Sequence, residues 1–154
     1  MNAETPAATP EMFNSVLAQM IPRAASMGIE VVELRPGYVK SRTPIEGNGN
    51  HIGTMYAGVL FTAAELLGGA IALSTFDVTK FYPVIKDMKI SYRRPAKGDV
   101  FAEATMPDEL VAELSERAAA EGKAEFEFET TLTDEAGEVV ATTVGTYQLR
   151  THGN

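Results

Sequence analysis

The twenty-five residues from Ile52 to Phe76 carry a single formal charge, that of Glu65. A segment that is apolar on every side has to be covered on every side, by lipid or by protein. A carboxylate at its centre is costly in lipid, and the segments around it are rich in strand formers. The run therefore reads as a helix buried in a protein core, with a sheet wrapped round it or a partner covering its far side. Thr54 is a candidate N-cap, and the helix is expected from Met55 to about Phe76. Gly58, Gly68 and Gly69 lie inside it, each at a cost of about 1 kcal/mol relative to alanine. Their structural use would be close approach of the helix backbone to the sheet.

The flanking sequence supplies that sheet. A short helix is expected from Glu11 to Met20, with Met12, Val16, Leu17 and Met20 near one face; Pro22 disturbs it and Gly28 ends the segment. Ile29–Leu34 and Tyr38–Ile45 read as a hairpin about the Pro36-Gly37 turn. Tyr82–Arg94, Val100–Met106, Ala124–Leu132 and Glu138–Leu149 read as four more strands. The third of these alternates most cleanly, with Phe126 and Phe128 against Glu125, Glu127 and Glu129. Pro107–Ala120 reads as an exposed helix that Gly122 ends. Short turns between strands favour antiparallel pairing. The expectation is one α+β domain over residues 11–150, with loose tails at 1–10 and 151–154.

Charge and composition exclude several functions. Thirteen basic against 21 acidic residues give a net charge of −8, a poor match for a nucleic-acid backbone or an anionic membrane surface. There is no cysteine, hence no disulfide, thiolate metal site or cysteine nucleophile. Of the two histidines, one, His152, falls near the end of the chain, so no histidine metal site is expected. Met1–Pro10 has no basic start and no apolar run, and so does not read as a secretory signal. A cytoplasmic protein is the expectation. Neither a phosphate-binding glycine loop nor a Gly-x-Ser-x-Gly elbow is present.

The stretch Asn50–Glu65, NHIGTMYAGVLFTAAE, resembles the signature of hotdog-fold thioesterases of the phenylacetyl-CoA type. That signature has a loop Asn, a His-Gly-Gly triplet opening a long helix, and an acidic residue about two turns inside it. Asn50 stands at the Asn position, Tyr56-Ala57-Gly58 at the triplet, and Glu65 at the acidic position. Tyr56 and Ala57 depart from the usual His and Gly. Over about residues 29–149 the order of elements also follows the family. The resemblance implies a hotdog fold, one long central helix wrapped by a curved antiparallel sheet of about six strands, and assembly as a homodimer or a dimer of dimers. It further implies an acyl-CoA substrate, with coenzyme A as part of the substrate and no separate cofactor.

Its chemistry would fall on a few residues. The N–H groups of Ala57 and Gly58 would form an oxyanion site at the helix N-terminus. Glu65 would act as general base or as nucleophile, meeting Ala57 and Asn50 of the other subunit. A solvent-exposed or ion-paired Glu65 is the plain alternative, as a turn role is for Asn50. His51 could bond substrate or simply be solvated. Tyr56 reads as a packing residue rather than an acid, and Thr62 as a residue that orients Glu65 or packs. Phe61, Leu66 and Tyr82 would line the acyl pocket. Lys86, Lys89, Arg93, Arg94 and Lys97 form a basic cluster suited to coenzyme A phosphates, or an ordinary solvated strand face. Two other readings stay open: a hotdog dehydratase or hydratase, disfavoured by Tyr56 at the histidine position, and a non-catalytic acyl-CoA binder or sensor.

Overall fold

The computed structural model describes residues 8–153. Helix α1 (Pro10–Met20) and a short α2 (Pro22–Ser26) precede the hairpin β1 (Glu30–Arg35) and β2 (Tyr38–Thr43). The long helix α3 (Ala57–Thr75) follows, then β3 (Phe81–Tyr92), β4 (Val100–Thr105), α4 (Asp108–Glu121), β5 (Lys123–Thr133) and β6 (Val139–Thr151). The six strands form one antiparallel sheet in the order β1-β2-β4-β5-β6-β3. Helix α3 packs against every one of them. The sheet is rolled round the helix, the α+β arrangement expected from the sequence.

The strand patterns explain the roll. On β5, Ala124, Phe126, Phe128, Thr130 and Leu132 face inward, while Glu125, Glu127 and Glu129 face out. Their inward row shares one core with Leu67, Ala70 and Ile71 of α3, all fully buried. By length and composition α3 could cross a membrane; here it buries most of its apolar surface in the sheet. The glycines set the spacing at one point. Tyr147 of β6 lies between Gly68 and Gly145, where an added Cβ would come within 2.2 Å and 2.5 Å of its ring.

Several boundaries differ from the sequence reading. Helix α3 starts at Ala57, not Met55, and its N-cap is Tyr56 without a side-chain bond. Thr54 is instead buried in the preceding turn and bonded to Asn50. Pro22 does not merely end α1. It occupies the first position of α2, where its missing N–H costs the helix nothing. Thr9 caps α1 by accepting the Met12 N–H, so the helix begins at Pro10. The remainder of the expected N-terminal tail, residues 1–7, lies outside the described residues. Thr151 belongs to β6 rather than to a tail, and its N–H donates to the Gly122 carbonyl. Gly122 ends α4 as expected, in the left-handed conformation (φ 84°) that glycine adopts without strain.

Helix α1 buries one residue of the anticipated face, Leu17, together with Phe13, which lies outside it. Phe13 and Leu17 are buried, whereas Met12, Val16 and Met20 are exposed. Asn14 ties the helix to the sheet edge: its amide accepts the Val31 N–H (2.8 Å) and donates to the Val31 carbonyl (2.9 Å). From that anchor α1 lies over α3, facing the start of β3 across a groove.

Candidate active site

The turn before α3 is built by two asparagines. Asn48 is buried and donates to the Met27 and Pro44 carbonyls, both at 2.7 Å, while its own carbonyl accepts the Tyr56 N–H. Asn50 closes the next turn on itself. Its side-chain oxygen accepts the N–H groups of Ile52 and Thr54, and its amide donates to the Thr54 hydroxyl. Gly53, at φ 80°, makes the reversal possible. Most of the bonding capacity of the Asn50 side chain is spent inside its own turn. The Met55 N–H donates to Ala96, fixing the turn to the end of β3 and its following loop.

These bonds deliver the helix N-terminus to a cleft of about 310 Å³. The Tyr56 carbonyl accepts from Val59 and Leu60. No acceptor among the described residues serves the N–H groups of Ala57 and Gly58, the two that a helix start leaves open. Ala57 lines the cleft together with Asn50, Leu60, Tyr92, Arg93 and Arg94. The Tyr92 hydroxyl donates to the Ala57 carbonyl at 3.1 Å. Tyr92 did not stand out in the sequence: it is thirty-five residues from Ala57, and strand alternation only sets it on one side of its strand, where it is exposed.

Glu65 lies on a second groove, of about 370 Å³, between α1 and α3. It is half-buried and makes no hydrogen bond or ion pair through its carboxyl group among the described residues. Burial pushes that carboxyl above the usual carboxylate range. The Tyr147 hydroxyl donates to the Glu65 backbone carbonyl at 3.3 Å; burial raises the Tyr147 pKa, and the Glu65 charge raises it further. An uncompensated carboxyl in an apolar groove is costly to keep, and groups perturbed in this way cluster at functional sites.

The remaining predicted residues divide between the two hollows and the surface. Leu66 and Tyr82 share the Glu65 groove. Phe61 is partly exposed on α3 and lines neither hollow. Thr62 donates to the Gly58 carbonyl (2.8 Å) within the helix and not to Glu65. His51 is exposed in the turn. The ring of Tyr56 packs over Gly58, where an added Cβ would meet it at 2.6 Å. Of the basic cluster, Arg93 and Arg94 reach the Ala57 cleft, and Lys89 and Lys97 do not line it. Arg94 is paired with Glu138 (2.6 Å) and Lys86 with Glu125 (2.7 Å). Arg93 has no ion pair among the described residues and is the cation most available at the cleft.

A single long helix wrapped by a six-stranded antiparallel sheet defines the hotdog class of folds. The family described as a domain of unknown function, DUF4442, matches residues 9–149, and the chain belongs to it. A Pseudomonas aeruginosa protein of unknown function, described as a probable thioesterase, is 46% identical and superimposes with a TM-score of 0.89 over 95% of this chain and 98% of that one. A Chlorobaculum tepidum protein of unknown function is 19% identical, with a TM-score of 0.81 over 95% of this chain and 99% of that one. A Haemophilus influenzae thioesterase is 15% identical, with a TM-score of 0.76 over 96% of each chain; at that identity the likeness is one of fold. No curated protein matches the sequence.

Proposed function

We infer that the protein is a thioesterase, and that its substrates are acyl-CoA thioesters hydrolysed at a site shared between two copies of the chain. The observation that carries this reading is Glu65, a half-buried carboxyl without a partner of its own, raised by burial and set at an apolar groove. Its pKa direction suits a group that takes a proton from water, or that attacks a carbonyl, in a dry site. The thioesterase description of the 46% identical Pseudomonas protein supports the same reaction.

The separation of the two hollows favours a shared site. Ala57 and Glu65 are two turns apart on α3, about 12 Å at roughly 1.5 Å per residue, and line different hollows. Within one chain they are too far apart to act on one carbonyl. Among the described strands none pairs with the outer edge of β3, and Ile85 and Tyr92 on that strand are exposed. Pairing of β3 with β3 of a second copy would cover that edge and bring the Ala57 cleft of one copy towards the Glu65 of the other. In the shared site the Ala57 and Gly58 N–H groups stabilise the oxyanion, Glu65 of the other copy activates water or forms an anhydride, and Arg93 meets a coenzyme A phosphate.

A panel of acyl-CoA thioesters, followed by release of free thiol, tests this directly; the protein has no cysteine to give a background. Turnover of at least one thioester is expected, reduced about 10²-fold or more in Glu65→Gln and Glu65→Ala. Saturable acyl-CoA binding without turnover across the panel would make the protein a binder instead.

A further inference from the structure

Gly69 lacks the reason for being glycine that its neighbour has. At Gly68 an added Cβ would lie 2.2 Å from the Tyr147 ring, whereas at Gly69 it would meet nothing within 4 Å. Gly69 has no positive φ either, so its backbone suits any residue. Glycine weakens a helix relative to alanine, and at position 69 the fold of the chain gains nothing in exchange. The space left open is the groove itself, since Gly69 lines it four residues, about one helical turn, after Glu65. Among the described residues that line it, Glu65 alone is charged. Val16 and Met20, exposed on α1, form the wall opposite Leu66 and Leu73 of α3.

An occupant of this groove has to be apolar, narrow, and attached at one end to a group that Glu65 can reach. The run from Glu65 to Leu73 is about 12 Å at roughly 1.5 Å per residue. With carbon–carbon bonds of about 1.5 Å, a straight chain of roughly eight to ten carbons fills that length. We propose that the α1–α3 groove holds a medium-length unbranched aliphatic acyl chain, and that Gly69 is the specificity-determining residue that lets the chain run past Glu65. This rests on the thioesterase reading for what happens at Glu65, but not for what occupies the groove.

The test compares wild type with Gly69→Phe and Gly69→Leu, two side chains that fill the open space at different sizes. One arm measures kcat/KM for butyryl-CoA and decanoyl-CoA. The other measures binding of a fluorescent fatty acid of medium length, which needs no turnover. The decanoyl-to-butyryl ratio should fall by roughly tenfold or more in both variants, as expected when a pocket loses room for several methylenes, and fatty-acid binding should weaken in parallel. An unchanged ratio in either folded variant overturns the proposal while leaving the thioesterase reading intact. If wild type hydrolyses neither thioester, the binding arm decides. Loss of fatty-acid binding in the variants then supports the groove assignment without the hydrolase, and unaltered or absent binding overturns it.

Discussion

Glu65 binds its proton more tightly in the folded protein than an exposed glutamate does, because burial disfavours the charged form. Linkage fixes the sign of the consequence. With the folded pKa raised, this group's contribution to stability is full below the unfolded pKa, about 4.3, and is lost as pH rises through the folded value. Glu65→Gln removes the charge and keeps the shape. It should raise Tm at pH 7 and leave it nearly unchanged at pH 4, as thermal melts followed by circular dichroism would reveal. A lower Tm at pH 7 would mean that the carboxylate is held by a favourable interaction. The adjacent glycines make a second contrast. Gly68→Ala forces a methyl into the Tyr147 ring and should cost about 1–3 kcal/mol. Gly69→Ala meets nothing and should gain up to about 1 kcal/mol from helix propensity. Urea titrations of the two variants should move in opposite directions, and a shared direction would refute this account of the pair.

At the scale of elements, the start of α3 depends on the turn before it. Asn48→Ala removes the donor to two carbonyls that meet at one buried amide, so stability should fall by about 1–3 kcal/mol. Hydrogen exchange should then quicken in residues 48–56 before it quickens in β5; uniform exchange would contradict a local role. The strands were legible because alternation is a local signal, plain in β5 and β3. The α3 start was misread by two residues because Thr54 has the chemistry of a cap, yet Asn50, four residues away, already holds its hydroxyl. Helix α2 is hidden in the sequence because Pro22 reads as a disturbance of α1, although proline suits a first helical position. Of the anticipated α1 face only Leu17 is buried, since hydrophobicity alone does not separate Phe13 from Met12 or Met20. Glu65 was legible as a lone charge. Tyr92 and the α1–α3 groove were not, because each joins segments far apart in the chain, which no local spacing records.

For the whole molecule, the proposed function gives the single chain two half-sites rather than one site. The open N–H groups, Tyr92 and Arg93 gather at one hollow, and Glu65 lines another with Gly69 and the wall of α1. The outer edge of β3, last in the described sheet, is the element through which a second copy would join the halves. The chain as a whole is acidic, at −8, so under the proposed function an anionic coenzyme A would find its attraction locally, at Arg93 rather than in the general field.

Subunit complementation tests this joining most directly. Ala57→Pro deletes one N–H of the proposed oxyanion site at the first helical position, where proline is tolerated and where the Tyr56 backbone (ψ 135°) already suits a following proline. Glu65→Gln deletes the carboxylate. Each variant alone should be close to inactive on the best thioester. After unfolding and refolding together in equal amounts, half of the dimers would be mixed, each with one intact site, so activity should return to about a quarter of wild type. Activity that stays at the level of the separate variants would contradict a site built from Ala57 of one copy and Glu65 of the other.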